Sequence, residues 1–311
     1  MIAREFLKLL AATLGIRHEK IDTKKQGLPV ALQALSNVMS NLIPVALTIA
    51  GSDCSAGAGI QADLKIFQYF RVHGLTAVTC VVSETQQVVR AVHPVPVEIV
   101  RDQISLLLDS FPVAAIKTGM LFSASHVAAV AEILRDFPHI PLVVDPVMIA
   151  STGAPLLETD AVDAYRELLL PLARVITPNL PEANVLLGKM IAHESEMELA
   201  ARELETLFGA AVLLKGGHLD GAECVDLLVD GGVARSFRAA RITVASTHGT
   251  GCTLSAAITA ALAVGAPLSR AVEMAKNFLS EALSESYKFT TAQGRALYAL
   301  NQGTFFSKNE A

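Results

Sequence analysis

The sequence predicts an α/β fold in which a mostly parallel sheet is covered by helices on both faces. Short unbroken apolar runs recur along the chain, helical apolar patterns lie between most of them, and polar residues follow each run directly. The 311 residues are 52% hydrophobic and 18% charged, too apolar for a disordered chain and long enough to bury a sheet on both sides. A formal net charge of −5 with no basic run argues against a nucleic-acid partner, and 5% aromatics without tryptophan argue against base stacking. No window reaches the roughly eighteen unbroken apolar residues of a spanning helix, so no membrane partner is expected and the mean hydropathy of +0.45 reads as core. Cys54, Cys80, Cys224 and Cys252 are widely spaced, with no C-x-x-C pair. That pattern predicts a reducing, cytoplasmic setting and neither a disulfide frame nor a zinc site.

Residues 1 to 40 read as an N-terminal extension without an assigned role, because Glu5 and the missing A-x-A site speak against a secretory signal. The domain proper spans 41–290, and 291–311 is left as a C-terminal tail. Within the domain, Val45–Ala50 is the first strand, followed by a Gly/Ser/Asp turn and a helical stripe of Ile60, Leu64 and Phe67. Further strands are expected at Leu75–Val82, Val113–Ile116, Leu142–Val144, Val175–Ile176 and Ala211–Leu214. Helices are expected at Ala124–Leu134, Asp160–Leu170 and Glu194–Leu207. A hairpin (Cys224–Val229 with Ala234–Phe237) and two long helices, Gly251–Val264 and Leu268–Lys288, complete the pattern.

Polar groups collect where the strands end: Gly51-Ser52-Asp53, Ser83-Glu84, Lys117-Thr118-Gly119, Asp145, Thr177-Pro178-Asn179 and Lys215-Gly216-Gly217. Open α/β sheets bind ligands at such carboxyl ends. Thr247-His248-Gly249-Thr250-Gly251-Cys252-Thr253 opens an apolar helix, and its two glycines let successive N–H groups converge on an anion where the helix dipole is positive. Its alternative is an ordinary turn capped by Thr250. Asp63 sits on the buried stripe of its helix and therefore needs the dipole, a partner, or a ligand's donor. Asn179-Leu180-Pro181-Glu182 reads as a capping box, which leaves a metal-linked role for Glu182 optional. Lys215 reads equally as a phosphate-binding point charge or a solvated strand end, and His218 and His248 read as structural. Gly57-Ala58-Gly59-Ile60-Gln61-Ala62 matches a relaxed dinucleotide fingerprint, but six residues separate it from Ala50 where the true fingerprint follows its strand directly.

Gly51-Ser52-Asp53-Cys54-Ser55-Ala56-Gly57-Ala58-Gly59-Ile60-Gln61-Ala62-Asp63-Leu64-Lys65 resembles the opening motif of hydroxymethylpyrimidine/phosphomethylpyrimidine kinases, thiamine-pathway members of the ribokinase-like fold. Lys117–Leu121, Val144–Met148, Thr177–Ala183, Leu214–His218 and Thr247–Thr253 resemble further motifs of that family, in order, from about Ile43 to about Tyr287. The resemblance implies a three-layer sandwich and ATP-dependent phosphorylation of 4-amino-5-hydroxymethyl-2-methylpyrimidine and then of its monophosphate. It implies that Gly51, Asp63, Glu84, Met120 and Val147 surround the pyrimidine and that Asp145 and Glu182 hold Mg²⁺. Lys215, Asn179 and Thr247 would bind the nucleotide, and the Gly249, Thr250, Gly251 and Cys252 backbone the moving phosphoryl group. Cys252 stands where sugar kinases of the fold carry an aspartate base. A thiol at a helix N-terminus is expected to be shifted downward, supplying some thiolate near neutral pH. A homodimer is compatible with the resemblance.

Two departures stand out. Ala56-Gly57 replaces Gly-Gly, and Ser83-Glu84-Thr85-Gln86 replaces an A-Q-N-T segment, so a carboxylate stands where the family usually has an amide donor. The second departure keeps a pyridoxal kinase in view as an alternative. A catalytically silent pyrimidine-binding protein is the alternative of another class, against which Cys252 and the intact glycine turn argue.

Overall fold

In the computed structural model, residues 43–148, 159–217, 219–242, 247–291 and 294–303 are described; the N-terminal extension and His218 lie outside them. The elements run β1 (Val45–Asp53), α1 (Gly59–Tyr69), β2 (His73–Thr85), β3 (Val88–Pro94), α2 (Val97–Ser110), β4 (Val113–Thr118), α3 (Ala124–Leu134) and β5 (Leu142–Val144). They continue with α4 (Thr159–Ala164), β6 (Val175–Ile176), α5 (Leu180–Leu187), α6 (Glu194–Phe208), β7 (Ala211–Lys215), β8 (Glu223–Asp230) and β9 (Val233–Ala240). The chain then runs through α7 (Thr250–Ala263), α8 (Leu268–Ser284) and a β10–β11 hairpin (Tyr287–Thr290, Ala296–Ala299).

Among the described residues, nine strands form one sheet in the order β3-β2-β1-β4-β5-β6-β7-β8-β9. The strands from β2 to β7 are parallel, while β3 and the β8–β9 pair add antiparallel margins. The alternation of side chains along a strand divides the core in two. Val45, Leu47 and Ile49 of β1 join a cluster with Ile104, Val127, Leu134 and Leu204, whereas Ala46 faces Phe67, Ile258 and Val272 on the opposite side. Each such large aliphatic side chain contributes about 1.5–3 kcal/mol on full burial, which is why helices cover both faces. No helix among the described residues is long and apolar enough to cross a membrane.

Several boundaries differ from expectation. The periodicity of 97–110 makes helix α2, and Val88–Pro94 pairs with β2, so Glu84 lies inside a thirteen-residue strand rather than after it. The helix expected over 160–170 is α-helical only to Ala164, then passes through a π turn (Tyr165–Leu169) and a 3₁₀ turn at Leu170–Leu172, where Pro171 cannot donate. Helix α8 stops at Ser284 instead of 288, because Tyr287–Thr290 pairs with Ala296–Ala299. Part of the segment expected as a tail, 294–303, is described. Leu300, Asn301 and Gln302 are buried, and Asn301 N–H donates to Ala282 O, so this segment is packed into the domain.

Candidate active site

The carboxyl ends of the parallel strands open into one cavity of about 380 Å³. Register explains the convergence: Thr118 pairs with Val144, Val144 with Ile176, and Asn179 bridges to Lys215, so the residues ending β4 to β7 stand side by side. Every expected site residue except Asp63 lines this cavity.

The loop after β1 is shaped by Asp53, a residue that sequence reasoning missed. Its carboxylate accepts from the Ser55, Gly57 and Ala58 amides at 2.7, 3.1 and 2.8 Å, and His248 Nε2 lies 3.0 Å from Oδ2. Burial pushes its pKa upward, but the bonds from His248, Ser55 and Ala58 outweigh burial and bring it down to about 2. The available signal was an Asp two residues before a Ser in a turn, the pattern of a side chain that bonds its own backbone. Ala56, where the resemblance expects glycine, has φ +59° and thus carries left-handed backbone. Lys65 Nζ bonds its carbonyl at 2.5 Å.

The turn into α7 packs against this loop. Gly249, not Thr250, occupies the N-cap, with φ +82° and no side-chain cap. A Cβ there would sit 2.0 Å from Gly57 O, so only glycine allows the two loops to meet. Thr250 instead turns its hydroxyl to Thr247 O. Helix geometry leaves the Gly251 and Cys252 N–H groups without intrahelical acceptors, beside the Lys215 ammonium. Gly249→Ala is expected to destabilise the fold by about 2 kcal/mol or more, the sum of positive-φ strain and the carbonyl clash. Urea unfolding checks it, and a loss under about 0.5 kcal/mol would mean that the loops part freely.

The phosphate side, as the resemblance has it, consists of three charges. Lys215 Nζ lies 3.0 Å from Asp145 Oδ1, which also accepts from Thr177 Oγ1, while Oδ2 accepts from Ser255. Burial opposes the charge of Asp145, but Lys215 and Lys117 outweigh it and hold the carboxyl below its usual range. The capping box forms as expected: Asn179 Oδ1 accepts from Glu182 N, and Glu182 Oε2 from Asn179 N, at 2.9 and 2.8 Å. Glu182 nevertheless also faces the cavity, and burial pushes it up to about 7 against the pull of Lys215. Among the described residues no three acids or histidines converge as a metal cage. Two carboxylates facing one cavity do fit Mg²⁺, which takes most of its shell from phosphate oxygens and water.

The opposite wall carries Gly51, Met120, Val147 and Glu84. Glu84 follows a register shift at Ser83/Glu84, a local irregularity of the kind that re-aims side chains. It is half-buried. Burial, and then the charge of Asp53, push its carboxyl upward, with His248 opposing.

Asp63 alone of the expected site residues does not line the cavity. It is fully buried beneath the cavity wall, where Oδ2 accepts from Thr48 Oγ1 at 2.6 Å and from Lys117 Nζ at 2.9 Å. Of the partners left open, an internal lysine is present on Oδ2, while the buried Oδ1 has no hydrogen-bond partner among the described residues. Lys117, itself fully buried, lines the cavity, and sequence reasoning gave it no role. Burial works against its charge, but Asp63 foremost outweighs burial and keeps it protonated. The expectation for Cys252 also changes: burial pushes its thiol up to about 11, and the pull of Lys117 does not compensate.

Comparison with known proteins bears on this arrangement. A family model described as phosphomethylpyrimidine kinase matches residues 53–296. A hydroxymethylpyrimidine/phosphomethylpyrimidine kinase of Rhizobium meliloti (strain 1021) is 46% identical over 252 residues, covering 81% of this chain and 94% of that protein. A crystal structure of phosphomethylpyrimidine kinase from Clostridium difficile 630 superposes with a TM-score of 0.69 at 38% identity, over 77% of this chain and 99% of that one. A pyridoxal kinase from Staphylococcus aureus in complex with AMP-PCP and pyridoxal gives a TM-score of 0.76 at 34% identity, over 85% and 94% of the two chains.

Proposed function

The chain belongs to the phosphomethylpyrimidine kinase family, and on that premise we propose that it phosphorylates hydroxymethylpyrimidine and its monophosphate with ATP in thiamine biosynthesis, each residue playing the following part. The observation that carries the proposal is the pairing across one cavity of a glycine turn at the start of α7 with a wall of Gly51, Met120 and Val147. The ring lies against that wall with its hydroxymethyl group toward Cys252. The hydroxyl oxygen attacks the γ-phosphorus of ATP, the bond to the β-phosphate bridging oxygen breaks, and ADP leaves. The Gly251 and Cys252 amides and the dipole of α7 stabilise charge on the transferring group. Lys215 draws the nucleotide phosphates into line, and Asn179 and Thr247 border them. Because phosphoryl transfer demands mainly positioning and charge stabilisation, Cys252 has only to take the hydroxyl proton.

Asp145 and Glu182 would hold Mg²⁺, which would neutralise the phosphate charge when bound. Asp63 contributes from below the site by fixing Lys117 rather than by touching the ring. The four free cysteines support a cytoplasmic setting, and a homodimer is compatible with the fold. Release of ADP, coupled to a spectrophotometric readout, tests the whole reading. Purified protein given the pyrimidine alcohol and MgATP should yield the monophosphate and then the pyrophosphate, and no pyrimidine-dependent ADP would refute it.

A second reading, phosphorylation of pyridoxal, is favoured by one residue, Glu84, whose carboxylate replaces the amide that the family usually places beside the pyrimidine. Competing the two ring substrates in one assay decides between them. Glu84 also places a negative charge next to the phosphate of the second substrate. Glu84→Gln is therefore expected to lower KM for the monophosphate about fivefold relative to the alcohol, the size of a ~1 kcal/mol repulsion at 4 Å in water. An unchanged KM ratio in steady-state kinetics would dismiss this role.

A further inference from the structure

The loop after β1 and the turn into α7, which meet at Gly57 and Gly249, are also joined by a residue far from both in sequence. Gln302 is 2% exposed. Its Nε2 donates to Gly57 O and to Thr253 Oγ1, both at 2.9 Å, and its Oε1 lies 3.4 Å from Lys65 Nζ. Gly57 belongs to the loop after β1, Thr253 to the first turn of α7, and Lys65 to α1, whose ammonium also holds Ala56 O. The Gly57 carbonyl is thus enclosed between the Gly249 backbone and the Gln302 amide, with no room for a methyl group at position 249. The same C-terminal segment touches a third loop, since Tyr298 N–H donates to Gln86 Oε1 just beyond Glu84. It is anchored from behind by Asn301, whose Oδ1 accepts from Tyr287 OH at 2.6 Å and whose N–H donates to Ala282 O.

We infer that Gln302 is a positioning residue for the kinase reaction: its amide group sets how the loop after β1 meets the turn that receives the phosphoryl group. A side chain kept only to fill space would not need two donors, and an apolar one would fill the gap equally well. Here the two N–H bonds go to two different elements, the loop after β1 and the first turn of α7, so the donors fix how these elements meet. Displacing reacting atoms by about 1 Å can cost on the order of a hundredfold in rate. The inference rests on the kinase reading, and its effect falls on the transfer step more than on the affinity for ATP.

Gln302→Glu tests it, because the carboxylate keeps the volume and the Lys65 partner but cannot donate to the Gly57 carbonyl. The full chain carrying this substitution is expected to keep its melting temperature within a few degrees and its KM for ATP within about twofold. Its kcat on the pyrimidine alcohol should fall about tenfold. Peptides spanning 51–63 and 247–256 should exchange amide hydrogen faster in the variant, a readout that requires no turnover. Gln302→Asn retains an amide and should recover part of the lost rate. A kcat within threefold of the unsubstituted protein, a fall that merely tracks lost folded fraction, or unchanged exchange in both peptides would overturn the inference. If the unsubstituted protein does not phosphorylate the pyrimidine at all, the kinase reading fails, and the exchange experiment alone then judges the clasp between the loops.

Discussion

Cys252→Ala is expected to lower kcat on the pyrimidine alcohol by about 10²–10⁴-fold, the span usual for loss of a proton acceptor, while KM for the alcohol stays near its original value. The sign of the pH dependence follows from the thiol. Burial among the strand ends pushes Cys252 up to about 11, so the thiolate is a minority species at neutral pH. If that form accepts the hydroxyl proton, kcat rises with pH, about tenfold per unit between pH 6 and 9, with no plateau in that range. The alanine variant loses this slope along with the rate. A flat profile in the unsubstituted protein would leave Cys252 as a hydrogen-bonding contact rather than a base, and an alanine variant of full activity would remove it from the chemistry.

Asp63→Ala is expected to cost about 3–5 kcal/mol of folding stability, because it strands the Lys117 ammonium in a site with no exposure. Removing both charges together, as Asp63→Leu with Lys117→Met, should recover most of that loss, since each ion's desolvation penalty disappears with its partner. Urea unfolding of the single and double variants measures the difference. A single substitution that costs under about 1 kcal/mol would mean that water reaches the ammonium. The same pair lies close enough to Cys252 for the Lys117 charge to bear on the thiol. The double variant, though folded, should therefore show a thiol that iodoacetamide alkylates only at still higher pH.

The layered α/β plan was legible because apolar runs and helical stripes differ in period, and because each run meets a polar residue at its carboxyl end. Gly249, Cys252, Asp145 and Lys215 were legible for the same reason: a charge or a glycine is conspicuous beside a buried strand or an apolar helix. The role of Asp63 was harder to see. Its burial was readable from the stripe, but Lys117, fifty-four positions away, could be named as its partner only once β1 and β4 lay side by side. The Cys252 thiol was misjudged because a helix N-terminus is visible in sequence, whereas the desolvation that outweighs it is a property of everything packed around the site. Gln302 sits in a short polar stretch with no periodicity at all. Its importance comes from a contact 245 positions distant, which no local pattern encodes.

The antiparallel strands at the two margins of the sheet have a consequence for behaviour in concentrated solution. β9 exposes Arg235 and Arg238, and β3 exposes Arg90, along rims that would otherwise offer unpaired amides and carbonyls to a stray extended peptide. Among the described residues, a further strand could add itself there only by crowding against Arg90, Arg235 or the Arg238 guanidinium paired with Glu194 and Glu223. The molecule thereby limits its own width by chemistry, and fibril-like stacking of one copy onto the next is disfavoured at both borders.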